Sequence, residues 1–99
     1  MKNIRNALFA LTGGQSDKIS EVKTVGRREV IIITTLNAAG GANVFISVDN
    51  EAAANVGIQL QPGQSITMSR DSGYIPPQTA FFAYTAAAGT NLAIYEELI

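Results

Sequence analysis

Residues 57–99, GIQLQPGQSITMSRDSGYIPPQTAFFAYTAAAGTNLAIYEELI, read as short extended segments separated by turn chemistry, and no residue among them is placed like a catalyst. Pro62 fixes φ and Gly63 tolerates a positive φ, the combination a type II turn requires. Beyond it Ile66 and Met68 alternate with Ser65, Thr67 and Ser69, the pattern of a half-buried strand. A polar turn (Arg70 to Gly73) and a rigid Pro76-Pro77 corner follow. Then come an aromatic strand from Ala80 to Thr85, a small-residue turn from Ala86 to Thr90, and a last strand from Leu92 to Leu98. In the aromatic strand Phe82 and Tyr84 share one face and Phe81 and Ala83 the other, so one set is expected in the core.

Working back toward the N-terminus, Asp49-Asn50 and an Ala-rich stretch from Glu51 to Asn55 separate this region from a strand over Val44 to Val48. Asn37 to Asn43 reads as a turn. Before it lies the strongest strand of all, Glu29 to Leu36, whose Val30-Ile31-Ile32-Ile33 run is β-branched throughout and suits burial on both faces. Residues 15–28 predict an extended connector with a short strand around Ser20 to Thr24. At the start, Ile4, Leu8 and Leu11 recur at helical spacing, which predicts a short amphipathic helix over residues 2–11, stopped by Gly13-Gly14. Such a helix either caps the domain's own core or docks on another subunit. The expectation is an all-β chain: a single antiparallel β-sandwich of six to eight short strands over residues 29–99, preceded by an N-terminal arm over residues 1–28.

The order of these pieces resembles a small β-sandwich module of tailed-bacteriophage virions. The residues that carry the resemblance are Val30 to Thr35, Val44 to Val48, Gly57-Ile58, Leu60, Pro62-Gly63 and Ser65, followed by Ala80 to Tyr84, Gly89-Thr90, Ala93-Ile94 and Glu96. The resemblance covers about Glu29 to Glu97, roughly two thirds of the chain. The resemblance implies a virion structural protein, either a capsid decoration (cement) protein that stabilises the head by bridging major capsid subunits, or a tail, neck or fibre component. It also implies synthesis in the host cytoplasm and a final place on the capsid surface. Homo-oligomerisation is expected, with a trimer as the guess carried over from decoration proteins.

Composition agrees with a part that lives against partners. The chain has 99 residues, 46% hydrophobic and only 15% charged, so it has material for one core but a weakly charged exterior. Residues 1–30 hold six basic groups against three acidic ones, a net +3, while residues 31–99 hold one basic group against five acidic ones, a net −4. A basic arm on an acidic body points to protein contacts, and the candidate partner-binding residues are Ile4, Arg5, Leu8, Leu11, Arg27 and Arg28. Deleting residues 1–14 is then expected to leave the body folded and to weaken incorporation into particles. No basic run of the kind that tracks nucleic acid is present, and no stretch is long and apolar enough to span a bilayer, so neither partner is expected. The apolar stretch Ala7 to Leu11 is too short for the core of a signal peptide.

Histidine and cysteine are both absent, which removes Ser-His-Asp and Cys-His nucleophile systems, thiolate metal sites and disulfides. Glu96 and Glu97 are adjacent on a strand and point to opposite faces, so they make no acid/base pair. Asp49, Asn50 and Asp71 offer oxygen ligands without the spacing of a calcium loop. No catalytic residue, cofactor or metal is expected. A host-glycan-binding module, with Tyr74, Tyr84 or Tyr95 as stacking platforms, is the alternative to a structural part.

Overall fold

The computed structural model describes residues 3–21, 27–36, 42–71, 73–86 and 90–99. These form eight strands: β1 Asn3–Ala10, β2 Ser16–Ser20, β3 Arg28–Thr35, β4 Val44–Val48, β5 Ile58–Leu60, β6 Ser65–Ser69, β7 Phe81–Thr85 and β8 Asn91–Leu98. One sheet has the order β1-β8-β3-β6 and the other β2-β7-β4-β5, with every pairing antiparallel. The two pack face to face as a small β-sandwich. Only β4 and β5 are consecutive and paired in one sheet; each other step between successive strands crosses from sheet to sheet.

Strict alternation builds the core. Ile31 and Ile33 of β3, Leu92 and Ile94 of β8, Val44 and Ile46 of β4 and Phe81 and Ala83 of β7 all point inward and are buried. Each fully buried Ile, Leu or Phe contributes about 1.5–3 kcal/mol relative to exposure. The Val30–Ile33 run is thus split: Ile31 and Ile33 enter the core, while Val30 and Ile32 lie half-buried on the outer face of the first sheet. In β7, Phe81 and Ala83 enter and Phe82 and Tyr84 remain outside.

Two glycines carry special geometry. Gly63 has φ 85°, and the Gln64 N–H donates to the Gln61 carbonyl at 3.0 Å, which closes the turn expected at Pro62-Gly63. The Thr35 hydroxyl braces that turn, 2.6 Å from the Gln61 carbonyl oxygen. Gly57 has φ 86°, and a Cβ there would run into the Ile46 carbonyl, so the chain passes β4 at a distance only glycine permits.

The N-terminal segment differs from expectation. Residues 3–10 form a strand, not a helix, and pair along their whole length with β8, from Asn3↔Leu98 to Ala10↔Asn91. The helical spacing of Ile4, Leu8 and Leu11 coexists with a two-residue alternation of Arg5, Ala7 and Phe9, and the long partner strand β8 decides between them. The short strand expected around Ser20 to Thr24 is found at Ser16–Ser20, and residues 22–24 lie outside the described set. Much of the expected turns over 37–43 and 86–90 also lies outside it. The segment taken as an arm therefore supplies an end strand to each sheet. Ala7 and Phe9 pack against the core and Leu11 is buried in it, so removing residues 1–14 takes away part of the core itself.

Candidate partner-binding surface

The six residues singled out from sequence separate into three environments. Ile4 and Leu8 stand on the outer face of the first sheet, 57% and 69% exposed. Leu11 is buried in the core, and Arg27 is exposed, its guanidinium 3.2 Å from the Glu29 carboxylate. Arg5 and Arg28 converge on Glu96, Arg28 wholly buried with it and Arg5 reaching in from the partly exposed edge. The corrected picture is that Leu11 and Arg28 are unavailable to any partner.

The interior cluster is built by a break in register. Counting back from Ile33 and Ile31 would turn Glu29 inward and Arg28 outward. The pairing of β3 with β8 shifts between Arg28 and Val30, and this bulge turns Arg28 into the interior. A second shift in β2, between Lys18 and Ser20, buries Ser20 beside it. Arg28 Nε donates to Glu96 Oε2 at 2.7 Å, and Ser20 Oγ lies 2.8 Å from both Glu96 Oε2 and Arg28 Nη2. Arg5 Nη1 donates to the other oxygen, Glu96 Oε1, at 2.6 Å. Arg28 also donates to the Pro77 and Thr79 carbonyls, and its guanidinium carbon lies 4.7 Å from the centre of the Phe81 ring. Gln78 grips the same residue by its backbone: Arg28 N–H donates to Gln78 Oε1 at 2.6 Å and Gln78 Nε2 donates to the Arg28 carbonyl at 2.9 Å.

Burial alone would push the Glu96 carboxyl up. The hydrogen bonds from Arg28, Ser20 and Arg5, with the charge of Arg28, outweigh it and hold Glu96 below the usual carboxylate value. Both carboxylate oxygens are engaged and the carboxylate is fully shielded from solvent, so it has no access to a substrate. This cluster is a structural clamp that ties β1, β2, β3, β8 and the Pro76–Thr79 connector together. One signal for it was in the sequence: if Glu96 and Glu97 face opposite ways on a core strand, one of them must enter and find a cation.

The outer face of the first sheet has the opposite character. Its register aligns Ile4, Glu97, Val30 and Ser69 in one row, Asn6, Tyr95, Ile32 and Thr67 in the next, and Leu8, Ala93, Thr34 and Ser65 in the third. Glu97 is the single ionisable carboxylate among these twelve positions, and it accepts a hydrogen bond from the Tyr95 hydroxyl at 2.7 Å. A depression of about 360 Å³ lies between Leu8, Asn6, Ile32, Thr34, Ala93 and Tyr95. Leu8 thus stands exposed at the rim of a shallow, nearly uncharged concavity, with Ile4 exposed on the same face.

The second sheet's outer face carries Phe45, Tyr84 and Phe82, with Phe45 paired to Tyr84 and Tyr84 to Ser16. Here the chain covers itself: the Ala52 N–H donates to Ser16 Oγ at 2.9 Å and draws the loop after β4 over the face. Tyr84, Tyr95 and Tyr74 thus lie on the second sheet, on the first sheet and in the β6–β7 connection, and do not form one platform. Among the described residues no group of three or more carboxylates is placed to hold a metal ion. No protein-family model matches the chain, and no curated protein is found similar to it.

Proposed function

We propose that this protein is a non-enzymatic structural part of a bacteriophage virion, a capsid decoration or cement protein that sits on the capsid surface and bridges major capsid subunits. The observation that carries the reading is the outer face of the first sheet, where Ile4 and Leu8 stand exposed beside a nearly uncharged depression. A chain that buries a complete ionic cluster inside and leaves large aliphatic side chains outside is suited to packing against other proteins. The resemblance of residues 29–97 to virion modules supplies the particle. The scattering of the three tyrosines and the loop over the second sheet weigh against the glycan-binding alternative.

The test is the copy number of this chain relative to the major capsid subunit in purified virions, by quantitative mass spectrometry. A stoichiometric ratio or a simple fraction of it is expected for a lattice-wide cement. A few copies per particle would move the protein to a neck, tail or fibre position, and absence from the particle would overturn the structural reading.

A further inference from the structure

Four strands end the two sheets, and three of them are blunted. β5 has three residues, β2 is broken by the shift between Lys18 and Ser20, and β6 has five residues with Ser65, Thr67 and Ser69 turned outward. β1 runs for eight residues in unbroken register without a proline, and its one charged residue, Arg5, is bound to Glu96. A long regular edge of this kind is a template for another strand.

The hydrogen-bond phase shows which residues face that edge. The Leu11 N–H donates to the Thr90 carbonyl at 2.9 Å, one step beyond the Ala10↔Asn91 pair. By the antiparallel pattern, the odd-numbered residues of β1 exchange bonds with β8. Ile4, Asn6, Leu8 and Ala10 therefore turn their N–H and C=O groups toward the edge. Ile4 and Leu8 also carry the exposed side chains of the outer face.

We propose that β1 pairs antiparallel with β1 of a second copy, across a two-fold axis through Asn6, to give one continuous eight-stranded sheet. The occupant follows from the sequence of the strand itself. With Asn6 opposite the partner's Asn6, Ile4 meets the partner's Leu8 and Leu8 meets the partner's Ile4, so the exposed aliphatic side chains cover each other. Arg5 then lies opposite the partner's Ala7, and no like charges meet. Moving the axis to Arg5 would set the two arginines against each other, and moving it to Ala7 would face Leu8 with the partner's Asn6. Edge groups must face edge groups, which excludes registers that pair even with odd positions. The chosen register forms about six intermolecular backbone hydrogen bonds and sets the two open faces side by side. It makes a two-fold dimer, not the trimer carried over by resemblance, and it does not depend on the virion reading.

The test uses the full chain in sedimentation over a wide concentration range. A mass approaching twice that of the single chain is expected. Asn6→Pro deletes an edge-facing N–H that β8 does not use, and Leu8→Lys places a charge against the partner's Ile4; each should raise the dissociation constant by about tenfold or more. Far-UV circular dichroism should be unchanged in both. Because the chain lacks cysteine, Asn6→Cys should cross-link to its own copy under mild oxidation, while Ser65→Cys on the β6 edge should not. A monomer at every concentration, a trimer, a dimer that both variants leave intact, or equal cross-linking at the two edges would overturn the proposal.

Discussion

β1 and β8 each show two opposed environments. On their inner faces Glu96 joins the buried Arg28 and Ser20 in an ionic cluster that the partly exposed Arg5 closes from the edge. On their outer faces Leu8, Ala93 and Tyr95 border an open apolar depression, and Ile4 stands exposed on the same face. One charged pair is thus placed on an inner face otherwise lined by Ala7, Phe9, Leu92 and Ile94, while aliphatic side chains stand on the outer face, a local exception to the usual sorting. The difference teaches where to look for function. The inner inversion is fully answered by partners within the chain, and it explains how the connector after β6 is held. The outer inversion has no answer within the described residues, and in the proposed function and the proposed dimer it is answered by contact with another molecule.

That contrast can be broken most forcefully from the inside. Arg28→Ala leaves Glu96 buried without its principal cation and should cost about 3–5 kcal/mol in urea unfolding. A loss below about 1 kcal/mol would mean that the cluster behaves like an ordinary surface pair.

The pH dependence sharpens the same side. The folded-state pKa of Glu96 is lowered, so the folded protein binds fewer protons there than the unfolded chain. The stabilisation is complete above the ordinary glutamate value of about 4.3 and is lost as pH falls through that value toward the lower folded one. Glu96→Gln should be less stable at neutral pH, because Arg28 loses its counter-charge, and should show a shallower loss of stability below that value. An unchanged acid slope in unfolding free energy measured over pH would place the acid sensitivity elsewhere.

A smaller effect is expected at Gln78→Ala, which removes both side-chain bonds to the Arg28 backbone and should cost about 1–3 kcal/mol. The smallest is expected outside. Ile4→Ser combined with Leu8→Ser should change the monomer's thermal stability by no more than about 0.5 kcal/mol, measured by calorimetry below the concentration at which the chain associates. A large loss would show that these side chains belong to the fold, and the contrast between the faces would collapse.

Much of the fold was legible because it is local. The Val30–Ile33 run, the alternation at Phe81–Thr85 and the Pro62-Gly63 turn carry their conformation in adjacent residues, and each conformation is found, although Val30 and Ile32 are only half-buried and not buried on both faces as the run suggests. The N-terminal strand is ambiguous in the sequence because Ile4, Leu8 and Leu11 satisfy a helical period while Arg5, Ala7 and Phe9 satisfy a strand period. Only pairing with β8, more than eighty positions away, separates the two. The ionic cluster was hidden for a related reason. The alternation in β3 would put Glu29 inside, and a bulge that no local residue announces puts Arg28 there instead. Ile4 and Leu8 have the spacing of a helix's apolar stripe, yet they reach the surface together because both are even positions of one strand.

The most direct test of the central claim sets loading against stability. Wild type and the Ile4→Ser, Leu8→Ser double variant should be added in competition to particles assembled without this chain, and the bound ratio read by mass spectrometry. The account predicts a variant that melts with the wild type below the concentration at which the chain associates and is excluded from the particle. Equal loading of the two chains would contradict it, because the outer face of the first sheet would then not be the surface the protein works through.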